Sequence, residues 1–210
     1  MTPAATRRGR VFVISSPSGG GKTTVVNALM RRMRRLARSV SVTTRPARPG
    51  ERDGRDYRFI SPRAFRALQR RGRLLEWARV HGQYYGTPKQ PLMEALARGR
   101  DAILSIDVQG ARQVRRMLGR NAVLIFLLPP SLDQLQRRLV KRRTEGAATI
   151  RKRMTAARRE MACAAWYDHC VINDRLDQAL HELQAIIRGR PIHSTQGEGG
   201  SWRRYQSKSC

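Results

Sequence analysis

The residues best equipped for chemistry stand near the start of the chain, in the run Ser16-Pro17-Ser18-Gly19-Gly20-Gly21-Lys22-Thr23-Thr24. Three glycines in a row leave backbone amides with no side chains in front of them and let the chain turn tightly. If a helix starts at once afterwards, its first amides and its dipole favour an anion at the same place. The spacing is that of the phosphate-binding loop, G-x-x-x-x-G-K-[ST], with Ser16 in the position of the first glycine. In that loop Lys22 reaches the β- and γ-phosphates and the Thr23 hydroxyl ligates Mg²⁺. The expected ligand is therefore a nucleoside triphosphate with its metal. Zinc chemistry and a Ser-His-Asp arrangement find no support. Cys163 and Cys170 have no ligand pairs at zinc spacing, and the four histidines are scattered.

A second group lies in the arginine-rich stretch SVSVTTRPARPGERDGRDYRF, residues 39–59. Arg45 and Arg48 can each fork anionic oxygens bidentately, and Tyr57 can add a hydroxyl donor. Further on, Glu76 is set in LLEWARVHGQYYGTP, and Asp107 ends the apolar run AILSID.

Elements able to position these groups follow from periodicity and breakers. Residues 10–16 read as a buried strand and 22–38 as a helix, with a short β-branched run at 40–43. Residues 45–57, rich in Pro, Gly and charge, read as a loop. Ser61-Pro62 opens a helix that Gly72 closes. Residues 74–80 read as a strand ending at a turn, HGQYYGTP, and a helix runs from Lys89 to Gly99. Buried strands at 102–106 and 122–128 flank a helix at 109–118, and Pro129-Pro130-Ser131 caps the next helix. A helix at 149–165, a short strand at 171–172 and a final helix at 176–188 complete the pattern. Strands alternating with helices place the chain in the α/β class, with a parallel sheet flanked by helices. The polar, Gly/Ser-rich tail, 191–210, is expected to be disordered.

At 210 residues the chain is long enough for one domain with small inserted subdomains. Its net charge of +28 implies an anionic partner, be it a nucleotide, a nucleic acid or an acidic surface, or else a general preference for arginine. Three cysteines argue against a disulfide framework and for reduced, cytoplasmic thiols. No apolar run is long enough to span a membrane, and MTPAATRRGR lacks the core of a signal peptide.

With these motifs in order, residues 9–189 resemble the guanylate kinases, P-loop nucleoside monophosphate kinases that pass a phosphoryl group from ATP to GMP. The resemblance rests on the phosphate loop, Ser41 to Arg45 with Arg48, Gly50-Glu51 through Asp56-Tyr57, Glu76, YYGTP, IDVQG, PPS, and Ile150 to Arg153. It implies a domain over 8–190: a P-loop NTPase-type core (8–38, 88–135, 161–190), an inserted GMP-binding subdomain (39–87) and an arginine-rich lid (136–160). It implies that Arg45, Arg48, Tyr57 and Tyr85 hold the GMP phosphate. Glu76 would accept from guanine N1–H and the 2-amino group, with Ser41 and Thr87 as helpers. Asp107 would serve GMP or the Mg²⁺ shell. On the ATP side the match covers Ser16 to Thr24 and, near the adenine, Asn173. Lys22, Arg45 and the lid arginines Arg138, Arg142 and Arg153 would act on the transferring phosphates.

Two positions depart from the family pattern: Ser105 replaces a second acid, and Arg143 stands where some relatives have glycine. The expected partners are ATP, GMP and Mg²⁺, with no specific nucleic acid and no membrane; a homo-oligomer stays open. The competing readings are a guanylate-kinase-like scaffold domain and a ribose-bisphosphate phosphokinase.

Overall fold

The computed structural model describes residues 7–80, 82–140 and 147–191. The order of elements is β1 (Val11–Ser15), α1 (Lys22–Arg32), β2 (Ala37–Arg38), β3 (Val42–Thr43), β4 (Arg58–Phe59), α2 (Pro62–Arg70), β5 (Leu74–Val80), β6 (Gln83–Pro88), α3 (Lys89–Ala97), β7 (Ala102–Ser105), α4 (Val108–Leu118), β8 (Ala122–Leu128), α5 (Leu132–Val140), α6 (Ala147–Ala162), β9 (His169–Ile172) and α7 (Leu176–Arg188). One sheet has five strands in the order β2-β7-β1-β8-β9, and a second has four in the order β4-β3-β6-β5. The five-stranded sheet is built from the near-continuous apolar runs; every residue of β1 is buried, and all of β8 except Val123. Such runs suit strands covered on both faces.

The chain divides into two compact units. The first takes in the residues up to Val13 together with Arg34–Val123; the second takes in Ile14–Met33 and the residues from Leu124 onward. In the first unit β2 runs parallel to β7, with Ala37 opposite Ala102. In the second β8 runs parallel to β9, with Phe126 opposite Cys170.

Most of the expected elements are present, and β8 and α7 have the expected limits. Two expectations need correction. The helix expected over 22–38 ends at Arg32. Met33 and Leu36 continue the apolar spacing of Val25 and Leu29, but Arg31, Arg32, Arg34 and Arg35 would crowd like charges on adjacent turns. The backbone instead joins a sheet, with Ala37 N–H donating to Asp101 O at 2.8 Å.

The expected turn after β5 is a strand, β6, and the sheet it joins is mostly antiparallel. β6 runs antiparallel to both β3 and β5, and only β3 with β4 is parallel. Gly86 and Pro88 look like breakers in the sequence. In the structure Gly86 sits where a Cβ would come within 3.0 Å of Leu74 Cδ1 and 3.2 Å of Phe65 Cζ, so the glycine permits a close approach. Tyr84 stacks on Phe65 at 5.3 Å between centroids, and Val42, Phe65 and Leu74 form a small core with Ile60 and Leu68 packed against it.

Caps fall where residue types suggest. The Ser61 hydroxyl accepts from Ala64 N–H at 3.2 Å with Pro62 in the first turn. The Ser131 hydroxyl accepts from Gln134 N–H at 3.1 Å. Among the described residues no helix is long and apolar enough to cross a membrane. Arg142, Arg143 and residues 192–210 of the tail lie outside the described residues.

Candidate active site

In the second unit, a tight loop follows β1. The Ser16 hydroxyl donates to Pro17 O at 3.2 Å, and Gly20 N–H donates to the same carbonyl at 2.9 Å. Gly19 and Gly21 hold φ of 89° and 87°, the left-handed region that favours glycine. Gly21 is the N-cap of α1, so Lys22, Thr23 and Thr24 form its first turn, and Thr23 and Thr24 are exposed. The amides of a helix's first turn lack carbonyl acceptors within the helix, and no acidic residue competes there.

The loop is held from three sides. Asn173, buried, donates from Nδ2 to Gly20 O at 2.8 Å, and a Cβ on Gly21 would stand 2.5 Å from that nitrogen. Its own amide is tied to Leu128 O at 2.7 Å. Arg138 on α5 donates to Asn173 O at 3.1 Å, with another guanidinium nitrogen 3.9 Å from the place of a Gly21 Cβ. From α6, Arg153 donates to the Ser18 hydroxyl at 2.7 Å, and Glu160 accepts from Ser18 N–H at 3.1 Å. The structure thus brings Arg138, Arg153 and Asn173 to the loop, and Asn173 grips the loop itself. Glu160 escapes the sequence reading; its only signal is its place two helical turns from Arg153 on α6.

In the first unit, Arg45 is buried and its guanidinium is fully engaged on one edge. It donates to Glu51 Oε2 at 2.7 Å and Oε1 at 2.6 Å, and to Pro46 O at 2.8 Å. The Tyr57 and Phe59 rings lie 5.1 and 5.6 Å from its central carbon, at cation–π range. Tyr85 stands edge-on to Tyr57 at 6.0 Å. The hydrogen bond to Glu51 raises the Arg45 pKa, and the same bond holds the Glu51 carboxyl below the ordinary carboxylate range. Burial pushes the Tyr57 hydroxyl up, so it remains a donor at neutral pH. Arg45, Tyr57 and Tyr85 are therefore assembled, while the Arg48 side chain stands exposed.

Glu76 is 3% exposed on β5, and its Oε1 accepts from the Thr87 hydroxyl at 2.6 Å. The ladder sets these two residues opposite one another. Ser41, also buried, precedes Val42, whose partner is Gly86, so the same register carries it to Thr87. Asp107 caps α4, its carboxylate accepting from Gly110 N–H at 2.8 Å.

The sequence model of the guanylate kinase family matches residues 8–190. The chain belongs to the guanylate kinase family. The guanylate kinase of Nitrobacter winogradskyi is 46% identical over 193 residues, 92% of this chain and 88% of its own length. That of Bradyrhizobium diazoefficiens is 48% identical over 191 residues, 91% and 87% of the two chains. The crystal structure of guanylate kinase from Anaplasma phagocytophilum matches with a TM-score of 0.74 at 33% identity, covering 87% of this chain and 86% of that one. The fold is accordingly the P-loop NTPase-type α/β fold expected from the sequence.

Gly110, in the IDVQG motif, stands close against Glu76. A Cβ added there would lie well inside contact distance of Glu76 Oε2. Gly110→Ala must therefore displace either α4 or the Glu76 carboxylate, which Thr87 anchors from the other side. Overpacking of this kind costs about 1–3 kcal/mol. If Glu76 reads guanine and the strain falls on its carboxylate, the KM for GMP should rise by about tenfold or more, at 1.36 kcal/mol per decade. Steady-state kinetics with each substrate varied checks this, and an unchanged KM for GMP would show that the carboxylate is not displaced.

Proposed function

We propose that the protein transfers the γ-phosphoryl group of Mg²⁺-bound ATP to GMP, giving ADP and GDP, with dGMP as a second acceptor. The observation that carries this reading is a chemical asymmetry between two anion grips. One is a glycine loop at a helix N-terminus with Lys22 in its first turn. The other is a stacked arginine, Arg45, among hydroxyl-bearing aromatic rings, with the buried Glu76–Thr87 pair in the same unit. A polyphosphate suits the first, and a monophosphate attached to a hydrogen-bond-donating base suits the second.

In this reading an oxygen of the GMP phosphate bonds to the γ-phosphorus while the bond to the β–γ bridging oxygen breaks. The electron pair leaves on ADP. Little covalent work falls to the protein; it holds two anions in line and neutralises the charge between them. The loop amides and Lys22 hold the ATP phosphates, while Arg45, Arg48, Tyr57 and Tyr85 hold that of GMP. Glu76, with Ser41 and Thr87, accepts from guanine, and Asp107 sets the first turn of α4 beside it. Arg138, Arg142 and Arg153 take up charge on the transferring group. Thr23 offers one exposed hydroxyl, which suits a Mg²⁺ ion that takes its remaining ligands from phosphate and water and supplies charge neutralisation there. Residues 39–87 serve as the acceptor subdomain and 136–160 as a lid whose closure keeps water from competing for ATP. A cytoplasmic setting accords with Cys163 and Cys170, which are unbridged; burial pushes the Cys170 thiol up to about 11, leaving it protonated at neutral pH.

A coupled assay of ADP formation across GMP, dGMP, AMP, UMP and CMP tests this. GMP should lead, dGMP should follow, and AMP should fall behind by about 10⁴-fold, the scale on which a site built for hydrogen bonds rejects a mismatch. Comparable turnover of AMP would overturn the assignment. No ADP formation with any acceptor would favour a scaffold role, and faster transfer to a ribose bisphosphate would favour a sugar phosphokinase.

A further inference from the structure

We propose that Glu51 is a positioning residue for the phosphoryl acceptor, clamping one edge of the Arg45 guanidinium and the Arg48 backbone so that a second, two-donor edge of Arg45 is reserved for the GMP phosphate. This rests on the reading of Arg45 and Arg48 as ligands of that phosphate.

Counting donors leads to the inference. A guanidinium carries five N–H groups in a fixed plane. One terminal nitrogen of Arg45 spends both of its protons, on Pro46 O and on Glu51 Oε2. The other spends one, on Glu51 Oε1. Glu51 and Pro46 leave two N–H groups, one on that second terminal nitrogen and one on Nε, and the Tyr85 side chain, itself assigned to the phosphate, is a further hydrogen-bond partner of the guanidinium. The two N–H groups are adjacent and parallel along the side of the plane, the geometry that matches two oxygens of a phosphate. The carboxylate has taken one fork and left a complete fork over.

Rotation of the plane is blocked as well. Tyr57 and Phe59 lie within cation–π range of it, and Tyr85 also interacts with the same guanidinium. Those aromatic rings come from the segment predicted to line the acceptor site.

Glu51 reaches both arginines at once. Its Oε2 also accepts from Arg48 N–H at 2.8 Å, closing the loop 45–51 on itself. One carboxylate thus sets the guanidinium of the first arginine and the backbone of the second. An unclamped arginine has many rotamers to lose on binding, and preorganisation removes that cost. The opposite idea is that Glu51 occupies the phosphate's place and must be displaced. It is less consistent with the donor count, because displacement is unnecessary when a fork remains.

The two ideas predict opposite signs. With ATP saturating, Glu51→Gln, which loses the second acceptor oxygen, should raise the KM for GMP by between about 10-fold and 10²-fold, the scale of a small misplacement of a substrate-holding group. The KM for ATP and the inhibition constant of guanosine, which has no phosphate, should stay unchanged. Glu51→Asp, which keeps both oxygens on a shorter arm, should recover part of the loss. It also carries the same comparison if Glu51→Gln melts below the assay temperature. A KM for GMP that falls or does not move overturns the proposal, and so does an equal loss of guanosine binding, which would mark a merely structural role. Arg45→Lys in the same assay separates the layers. If it leaves the KM for GMP unchanged, the assignment of Arg45 fails and this inference with it; if it raises KM while Glu51→Gln does not, only this inference fails.

Discussion

Replacing Arg153 with alanine should lower kcat by about 10³-fold or more while the KM for ATP moves far less, because an arginine on the transferring phosphates contributes about 10³–10⁵-fold in phosphoryl transfer. The structure explains why this residue is well suited to the test. Its guanidinium already reaches the phosphate loop, donating to the Ser18 hydroxyl at 2.7 Å. Two turns further along α6, Glu160 holds the Ser18 amide. The helix therefore keeps a second tie to the loop when Arg153 is truncated, and alanine favours the helix. Loss of rate should come without loss of fold, which a thermal melt checks. Arg138 is less clean, since its bond to Asn173 O supports the residue that grips Gly20; its truncation would mix a structural loss with a catalytic one. Arg153→Lys should rescue little, because a compact ammonium cannot reproduce a planar fork. A kcat within tenfold of the parent in Arg153→Ala would remove this residue from the transfer step.

How legible the site was depends on how local each part is. The phosphate loop is local: a strand, small residues with left-handed φ and a helix start follow one another in ten residues, so residue types alone expose it. Gly19 and Gly21 take the conformations their chemistry suggests. The Arg45–Tyr57 segment is local in the same way, and the structure brings the two side chains together. The strand β6 was not legible, because Gly86 and Pro88 resemble turn residues until the Phe65 ring and the Leu74 side chain are seen against the glycine. The end of α1 depended on a pairing of Ala37 with a residue 65 positions away, Ala102, which no window of sequence contains.

The carboxylates were the hardest to read. In a chain with 43 basic and 15 acidic residues, any acid has an arginine nearby in sequence, so proximity carries no information. Geometry does separate them. Asp101 pairs with the exposed Arg7, a contact of small worth, and its firmer tie is to the Arg10 backbone N–H at 2.7 Å. Glu51, Glu76 and Glu160 instead meet a bidentate fork, a buried hydroxyl and a loop amide. Of these, Glu51 meets a guanidinium on both of its oxygens through two different nitrogens, and so orients an arginine.

Glu76→Gln is the sharpest test of base choice. Guanine presents two donors side by side, N1–H and the 2-amino group, and a carboxylate presents two acceptors. In Glu76 one oxygen accepts a hydrogen bond from the Thr87 hydroxyl, and a carboxylate can accept several such bonds at once. Glutamine keeps one acceptor and turns an NH₂ toward a donor, and at 3% exposure water cannot relieve the mismatch. The kcat/KM for GMP should therefore drop by about 10³-fold, short of the 10⁴–10⁵ seen where a site loses its partner outright. ATP binding, measured by titration, should change by less than about twofold, because the role assigned to Glu76 is reading guanine and not holding the ATP phosphates. Discrimination against AMP should shrink at the same time, because adenine N1 is an acceptor that the new NH₂ can serve. If Glu76→Gln turned over GMP normally and still refused AMP, guanine would have to be read by other residues, and Thr87 and Ser41, the remaining buried hydroxyls of that register, would be the first to replace.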